Sequence, residues 1–401
     1  MKKLLITSEQ LTDPVSQKTA AYRVCTFYEG SRMIEAELRR ADTETILNNI
    51  YIARVKNVAA NLNAAFVEIA KGTVCYLPLE ALRQPIFTKK LSKQPIAAGE
   101  ELVVQVTKEA VKTKDAVVTA NLSFSGEYLV LTSANLRTGI SSKISGQDRV
   151  RLQELAQKLR KEYGGTESDF GLILRTNAAH AEESAICAEF LQLQAEYEAL
   201  RRYAASRTAY TCLRREQPFY LKMLTDADKS DLEEVVTDEE AVFEELKAAV
   251  SGGLSIRLYQ DKLLSLASLY NIAGQISAAL KQKVWLKSGA NLVIEPTEAL
   301  TVIDVNSGKN TEKKDKQRNH YKINLEAAEE IAFQLRLRNL SGIILVDFID
   351  MQSKDDQEGL MAQLRAYLRL DPVPAQVVDM TRLGLVEITR KKKKKPLAEQ
   401  I

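Results

Sequence analysis

Histidine is almost missing from this chain: His180 and His320 are the only two among 401 residues. That leaves a Ser-His-Asp arrangement, or a histidine-ligated metal, with little to draw on. Cysteine is nearly as scarce. Cys25, Cys75, Cys187 and Cys212 lie far apart with no CxxC pair, which argues against a thiolate zinc site and for a reduced, cytoplasmic protein. No apolar run approaches the length of a membrane span, and the opening MKKLLITSEQ lacks the apolar core of a secretion signal. Nor does one charge dominate. With 56 Lys and Arg against 53 Asp and Glu the net charge is +3, so attraction to an anionic partner has to come from local clusters. The length leaves room for roughly two to four domains with ample core.

What is present is concentrated in residues 299–351. Leu300 to Val305 is an apolar, strand-like run carrying Asp304, and Ile343 to Phe348 repeats the arrangement with Asp347. Between them, Asn324 to Leu340 places Leu325, Ala328, Ile331, Ala332 and Leu335 at helical spacing. A strand–helix–strand order predicts two parallel, neighbouring strands with both carboxylates near their carboxyl ends, where open α/β sheets carry their sites. Strand alternation turns Asn306 to the same side as Asp304. Two carboxylates and an amide oxygen suit a hard cation, Mg²⁺ or Mn²⁺, able to activate water and offset phosphodiester charge. A single Asp in such a place is commonly a cap for the turn that follows; matched acids on two strands weaken that explanation.

The remainder is more ordinary. Residues 1–47 read as strands too few to bury a core alone, and 220–284 holds two helix-like runs, EEAVFEELKAAV and LASLYNIAGQISAALKQK, on either side of Gly252-Gly253. Closely spaced short strands over 46–125 predict a small β-barrel. In Ala65–Ile69 the alternation turns Phe66 outward beside Glu68; Phe66, with Tyr76 on a nearby strand, is either a base-stacking platform or filler for a domain interface. Lys108, Lys112 and Lys114 form a basic hairpin. Between 126 and 219, FGLILRT ends an apolar strand in Arg175 and Thr176, a pair able to grip phosphate, though a surface arginine is usually just solvated. The loop GKNTEKKDKQR holds Lys309, Lys313, Lys314, Lys316 and Arg318, and Arg390 opens a run with five lysines, the kind of segment that is most often disordered.

The stretches EALTVIDVNSG, NLEAAEEIAFQLRLRNLSGIILVDFIDM and TRLGLVEITR resemble the catalytic segment of the ribonuclease E/G family. The resemblance implies an α+β multidomain fold. A ribonuclease-H-like scaffold, 1–45 with 220–284, would be interrupted by an S1 (OB-fold) domain at 46–125 and a 5′-sensor domain at 126–219. A DNase-I-like α/β catalytic subdomain would follow at 285–390, then a basic tail at 391–401. It also implies that Asp304 and Asp347 bind the metal with Asn306 in support, and that Phe66, Tyr76 and Lys114 hold RNA. Arg382 matches an arginine close to the active site, and Arg175 with Thr176 matches a sensor for a 5′-monophosphate. The implied activity is metal-dependent hydrolysis of single-stranded RNA to 5′-phosphate and 3′-hydroxyl ends, in ribosomal RNA processing and mRNA decay.

Three departures matter. Ser142 and Lys143 stand where the family has adjacent arginines, so a guanidinium fork is lost there and only a point charge at Lys143 remains. The zinc-linking CPxC segment and the small domain after it are missing, so no structural zinc is expected and only a homodimer through the catalytic subdomain stays open. The acidic quartet of true ribonuclease H is not evident, which makes that domain scaffolding. The missing zinc link and the altered sensor pair motivate a second reading, an RNA-binding protein of the same fold with little or no cleavage; the likeness of the catalytic subdomain to DNase I alone suggests a weaker third, a DNA nuclease.

Overall fold

The computed structural model describes residues 2–13, 15–42, 45–110, 114–133, 137–163, 170–227, 231–250, 253–308 and 316–401. They form an α+β chain of two compact units, Glu44–Ser230 and Met1–Thr43 with Asp231–Ile401.

In the first of these units, strands Ile50–Ala59, Ala64–Ala70, Thr73–Pro78, Ala116–Thr119 and Glu101–Lys108 pair in that order, and the last returns to pair with the first. The result is a closed, five-stranded, OB-like barrel. Alternation builds it: Ala65, Val67 and Ile69 face a core shared with Val55, Leu77, Val104 and Val118, while Phe66 faces out. The approach to strand Glu101–Lys108 is set by Glu100, a fully buried carboxylate. It accepts from Lys90 Nζ at 2.8 Å and from the backbone N–H groups of Leu91, Ser92 and Ala97 at 3.0, 2.9 and 2.9 Å. A four-stranded sheet follows, ordered Ser123–Ser125, Leu129–Thr132, Gly171–Leu174, Thr138–Ile140, with helices Gly146–Tyr163 and Glu183–Ala205 packed on it through Leu152, Leu155, Leu159, Ile186 and Phe190.

The other unit holds two sheets. The five-stranded one runs Ser255–Leu258, Leu232–Thr237, Lys2–Thr12, Thr19–Glu29, Arg32–Arg40. Its central strand carries the continuous run Leu4-Leu5-Ile6, all fully buried, as expected where both faces of a sheet are covered. The six-stranded sheet runs Lys283–Trp285, Asn291–Pro296, Leu300–Asn306, Gly342–Asp347, Val386–Arg390, Ala375–Met380. Helices Lys316–Leu337 and Lys354–Arg369 cover one of its faces, against Leu292, Ile294, Ile303, Val305, Ile344, Val346 and Ile388. The first helix begins two turns before the aliphatic pattern does. Tyr321 and Ile323 pack against the core there, and counting from Leu325 onward misses them.

The terminal lysine run departs from expectation. From Lys394 onward the segment is docked on the five-stranded sheet, while Lys391, Lys392, Lys393 and Lys395 are exposed. Lys394 Nζ lies 2.7 Å from Glu37 and 3.6 Å from Glu35 on the edge strand Arg32–Arg40. Leu397 is buried, its N–H bonded to the Arg338 carbonyl at 2.9 Å, and Gln400 Oε1 accepts from Leu38 N at 2.8 Å. Two glutamates distant in sequence supply the countercharge, and one leucine supplies the anchor. Arg390 is not part of a solvated run at all: it ends a strand, buried against Asp371 at 2.7 Å.

Candidate active site and nucleic-acid interfaces

Strands Leu300–Asn306 and Gly342–Asp347 are parallel neighbours in a register that sets Asp304 directly beside Asp347. Along the first strand, Thr301, Ile303 and Val305 are buried and Val302, Asp304 and Asn306 exposed, a strict alternation that turns the acids away from the helices. Burial, with the charges of Asp304 and Asp350 beside it, pushes the Asp347 carboxyl above its ordinary value. No Lys, Arg or His side chain pairs with Asp304 or Asp347, and no third carboxylate, His or Cys completes a metal cluster, among the described residues. Two crowded, uncompensated carboxylates fit a cation that binds through one or two carboxylates and keeps its waters. Asn306 donates from Nδ2 to Asp304 Oδ2 at 2.7 Å, so its amide holds the Asp304 carboxylate in place.

The segment after Asp347 is fixed by a residue the sequence reading passed over. Buried Asn324, on helix Lys316–Leu337, donates to Ile349 O at 2.8 Å and accepts from Ile349 N at 3.1 Å. A lone asparagine inside an apolar helical pattern was the available signal. His320 Nδ1 lies 3.1 Å from Asp350 O on the same segment. Arg382 is exposed in the turn between Ala375–Met380 and Val386–Arg390, and the pairing of Val346 with Val386 brings that turn to the Asp347 end of the sheet. The basic loop with Lys309, Lys313 and Lys314 lies outside the described residues, as does Lys112.

On the barrel, Phe66 and Tyr76 are cross-strand partners, half-buried on the outside, with ring centroids 6.0 Å apart at 75°. Lys114 is exposed, two residues ahead of Ala116, whose strand runs parallel to that of Tyr76. Glu68, the outward neighbour of Phe66, is nearly buried. A 2.6 Å hydrogen bond from Tyr210 Oη and another from Gly72 N at 2.8 Å hold its carboxyl below the ordinary value, with Lys56 3.6 Å away. The carboxylate that would repel an anion beside the two rings is thus turned into internal bonding.

In the four-stranded sheet, Thr138–Ile140 pairs in parallel with Gly171–Leu174, so Ser141-Ser142-Lys143 and Arg175-Thr176 leave the sheet together. Ser141 Oγ and Thr176 Oγ1 share a hydrogen bond of 2.9 Å, and Lys143 is exposed in the same turn. The Arg175 guanidinium donates to the Gly126 carbonyl and to the carboxylate of Asp226, at the end of helix Phe219–Asp226. Asp226, like Asn324, was not singled out from the sequence. Nothing in TDAD marks that acid as a partner for an arginine 51 positions earlier.

The profile of the Ribonuclease E/G family matches residues 123–393. Ribonuclease E of Escherichia coli is 32% identical over 385 residues, 92% of this chain and 36% of its own length. Ribonuclease E of Nostoc sp. is 35% identical over 359 residues, 86% of this chain and 51% of its own. Ribonuclease G of Haemophilus influenzae is 31% identical over 388 residues, covering 92% and 77%. The chain therefore spans only part of these relatives, a third to a half for the two ribonucleases E.

Proposed function

Because this chain belongs to the ribonuclease E/G family, we propose that it is a metal-dependent endoribonuclease acting on single-stranded RNA. The observation that carries this is the in-register pairing of Asp304 with Asp347 on the sheet face opposite the helices, two carboxylates with no paired cation among the described residues. A pair so placed has no use in a protein that only binds phosphate, because it repels it. Asp304 and Asp347 would hold Mg²⁺ or Mn²⁺, with Asn306 fixing the orientation of Asp304. When bound, such a cation supplies an activated water and offsets charge on the phosphodiester. Hydrolysis of this kind needs no 2′-hydroxyl and leaves 5′-phosphate and 3′-hydroxyl ends. Arg382 would brace phosphate at the same end of the sheet.

In the other unit, Phe66 and Tyr76 would stack bases, with Lys114 on the backbone. Arg175, Thr176 and Lys143 would read a 5′-monophosphate. In family terms the five-stranded sheet is the ribonuclease-H-like scaffold, the barrel an S1 domain, the four-stranded sheet a 5′ sensor and the six-stranded sheet the DNase-I-like subdomain. Ribosomal RNA precursors and mRNA are the substrates this reading implies, and a homodimer through the catalytic subdomain the assembly.

The test is cleavage of a short AU-rich RNA with Mg²⁺ by wild type, Asp304→Asn and Asp347→Asn, each RNA carrying a 5′-monophosphate or a 5′-hydroxyl. Both variants are expected to lose about 100-fold or more in kcat while still binding RNA. A wild type that binds but cuts with neither Mg²⁺ nor Mn²⁺, or variants that cut as well as it does, would end the enzyme reading in favour of a binding protein.

A further inference from the structure

We propose that Trp285 and Lys283 form a base-stacking subsite for single-stranded RNA on the same sheet face as Asp304 and Asp347. The subsite rests on the ribonuclease reading above and names residues that reading does not use.

The placement follows from register. Trp285 pairs with Asn291, which pairs with Asn306; Lys283 pairs with Val293, which pairs with Asp304, which pairs with Asp347. Directly opposed residues present their side chains to one face, so all of these share the face the helices leave open. Val284, between the two, turns the other way and packs on the core. At about 4.8 Å per strand, Trp285 stands two strands, about 10 Å, from Asn306.

The indole is not filling a core. It is 66% exposed; among the other described aromatic side chains only Tyr203, at 59%, is exposed as well. Lys283 Nζ lies 4.3 Å from its ring centroid, pairing a cation with a π surface. Lys281 and Lys287 are also exposed in the same KQKVWLK stretch. Glu295, on the neighbouring strand, accepts a hydrogen bond from Gln282. Aromatic and basic side chains interleaved on an exposed strand are the means by which proteins hold single strands without reading sequence.

The platform is also fixed in position. Its hairpin turn is closed by Leu286 N to Ala290 O at 2.9 Å, and the N–H groups of Lys287 and Ser288 donate to Glu326 of the covering helix at 2.6 and 3.2 Å. On the other side Gly308, two residues past Asn306, sits at φ +66° against the turn; a Cβ there would lie 2.5 Å from Gly289 O. The turn bearing the ring and the strand bearing the acids are therefore in backbone contact.

Trp285 is the only tryptophan in the chain, so its fluorescence reports this position alone. The full chain, with EDTA present so that no cleavage occurs, is titrated with a short single-stranded oligoribonucleotide while anisotropy of a labelled copy reports binding. The expected result is saturable quenching with the same midpoint as the anisotropy change. An abasic oligonucleotide of equal length should bind without quenching. Trp285→Ala should weaken binding about tenfold, while Trp285→Phe, which preserves a stacking face, retains most of the affinity and controls for folding. Binding without quenching, quenching by the abasic strand equal to that by RNA, or unchanged affinity in Trp285→Ala would each overturn the subsite. Those results leave the nuclease reading intact if RNA is cut once Mg²⁺ is restored. Quenching with no cleavage under either metal supports the subsite and removes the nuclease reading instead.

Discussion

Asn306 points its amide hydrogen at Asp304, and the pairing of the two strands sets Asp347 beside that same carboxylate. Removing the amide frees Asp304 to rotate without changing its charge. Asn306→Ala is therefore expected to lower kcat about 10- to 100-fold in single-turnover cleavage, with RNA affinity little changed. Arg175 presents a different case, since its guanidinium already has a carboxylate, Asp226, where a phosphate would bind. If Arg175 reads a 5′-monophosphate as proposed, the phosphate must displace that acid. Asp226→Asn is expected to raise the cleavage preference for 5′-monophosphorylated over 5′-hydroxyl RNA, about tenfold for one released charge pair, whereas Arg175→Ala abolishes the preference. The common direction of Asp304 and Asn306, and the position of Asp347 on the neighbouring strand, were legible because alternation and a strand–helix–strand crossover dictate them. It was silent on Asp226, whose relation to Arg175 exists only after a helix and a strand have packed.

Strand Leu300–Asn306, helix Lys316–Leu337 and strand Gly342–Asp347 were legible as a unit, because a crossover between apolar strands admits few arrangements. Lys283–Trp285 was not: three residues are too short for a period, and Lys283 reads as the end of the preceding helix-like run. The loop before strand Glu101–Lys108 was equally opaque, since its order comes from one acid rather than from a pattern. Burial alone would raise the Glu100 carboxyl, but Lys90 and the N–H groups of Leu91, Ala97 and Ser92 outweigh it and hold the group at about 2, against an ordinary 4.5. A folded value below the unfolded one means the contribution is complete above pH 4.5 and is lost as pH falls from there toward 2. Acid titration followed by circular dichroism should show stability declining across that window. In Glu100→Gln the decline should be shallower, from a starting stability about 1–3 kcal/mol lower at pH 7.

Across the chain as a whole, expectation and structure part most clearly at the end. A run of five lysines has the composition of a solvated tail, and composition was all the sequence offered. Its partners Glu35 and Glu37 lie more than 350 positions earlier, on an edge strand that needs covering. Leu397→Ala is predicted to cost about 2–4 kcal/mol in denaturant unfolding, the usual penalty for a vacated leucine site, because the residue belongs to the buried apolar cluster that includes Leu38 and Leu337. The parallel register of Asp304 with Asp347 reaches further. A strand repeats every two residues, so inserting a single residue ahead of either acid within its strand would send that acid into the helices and a core residue out to solvent. The connection between the strands carries no such parity. Descendants of this chain should accordingly gain and lose length between the first strand and the packed helix, and almost never inside either strand, leaving a pair of fixed-length words joined by an elastic phrase.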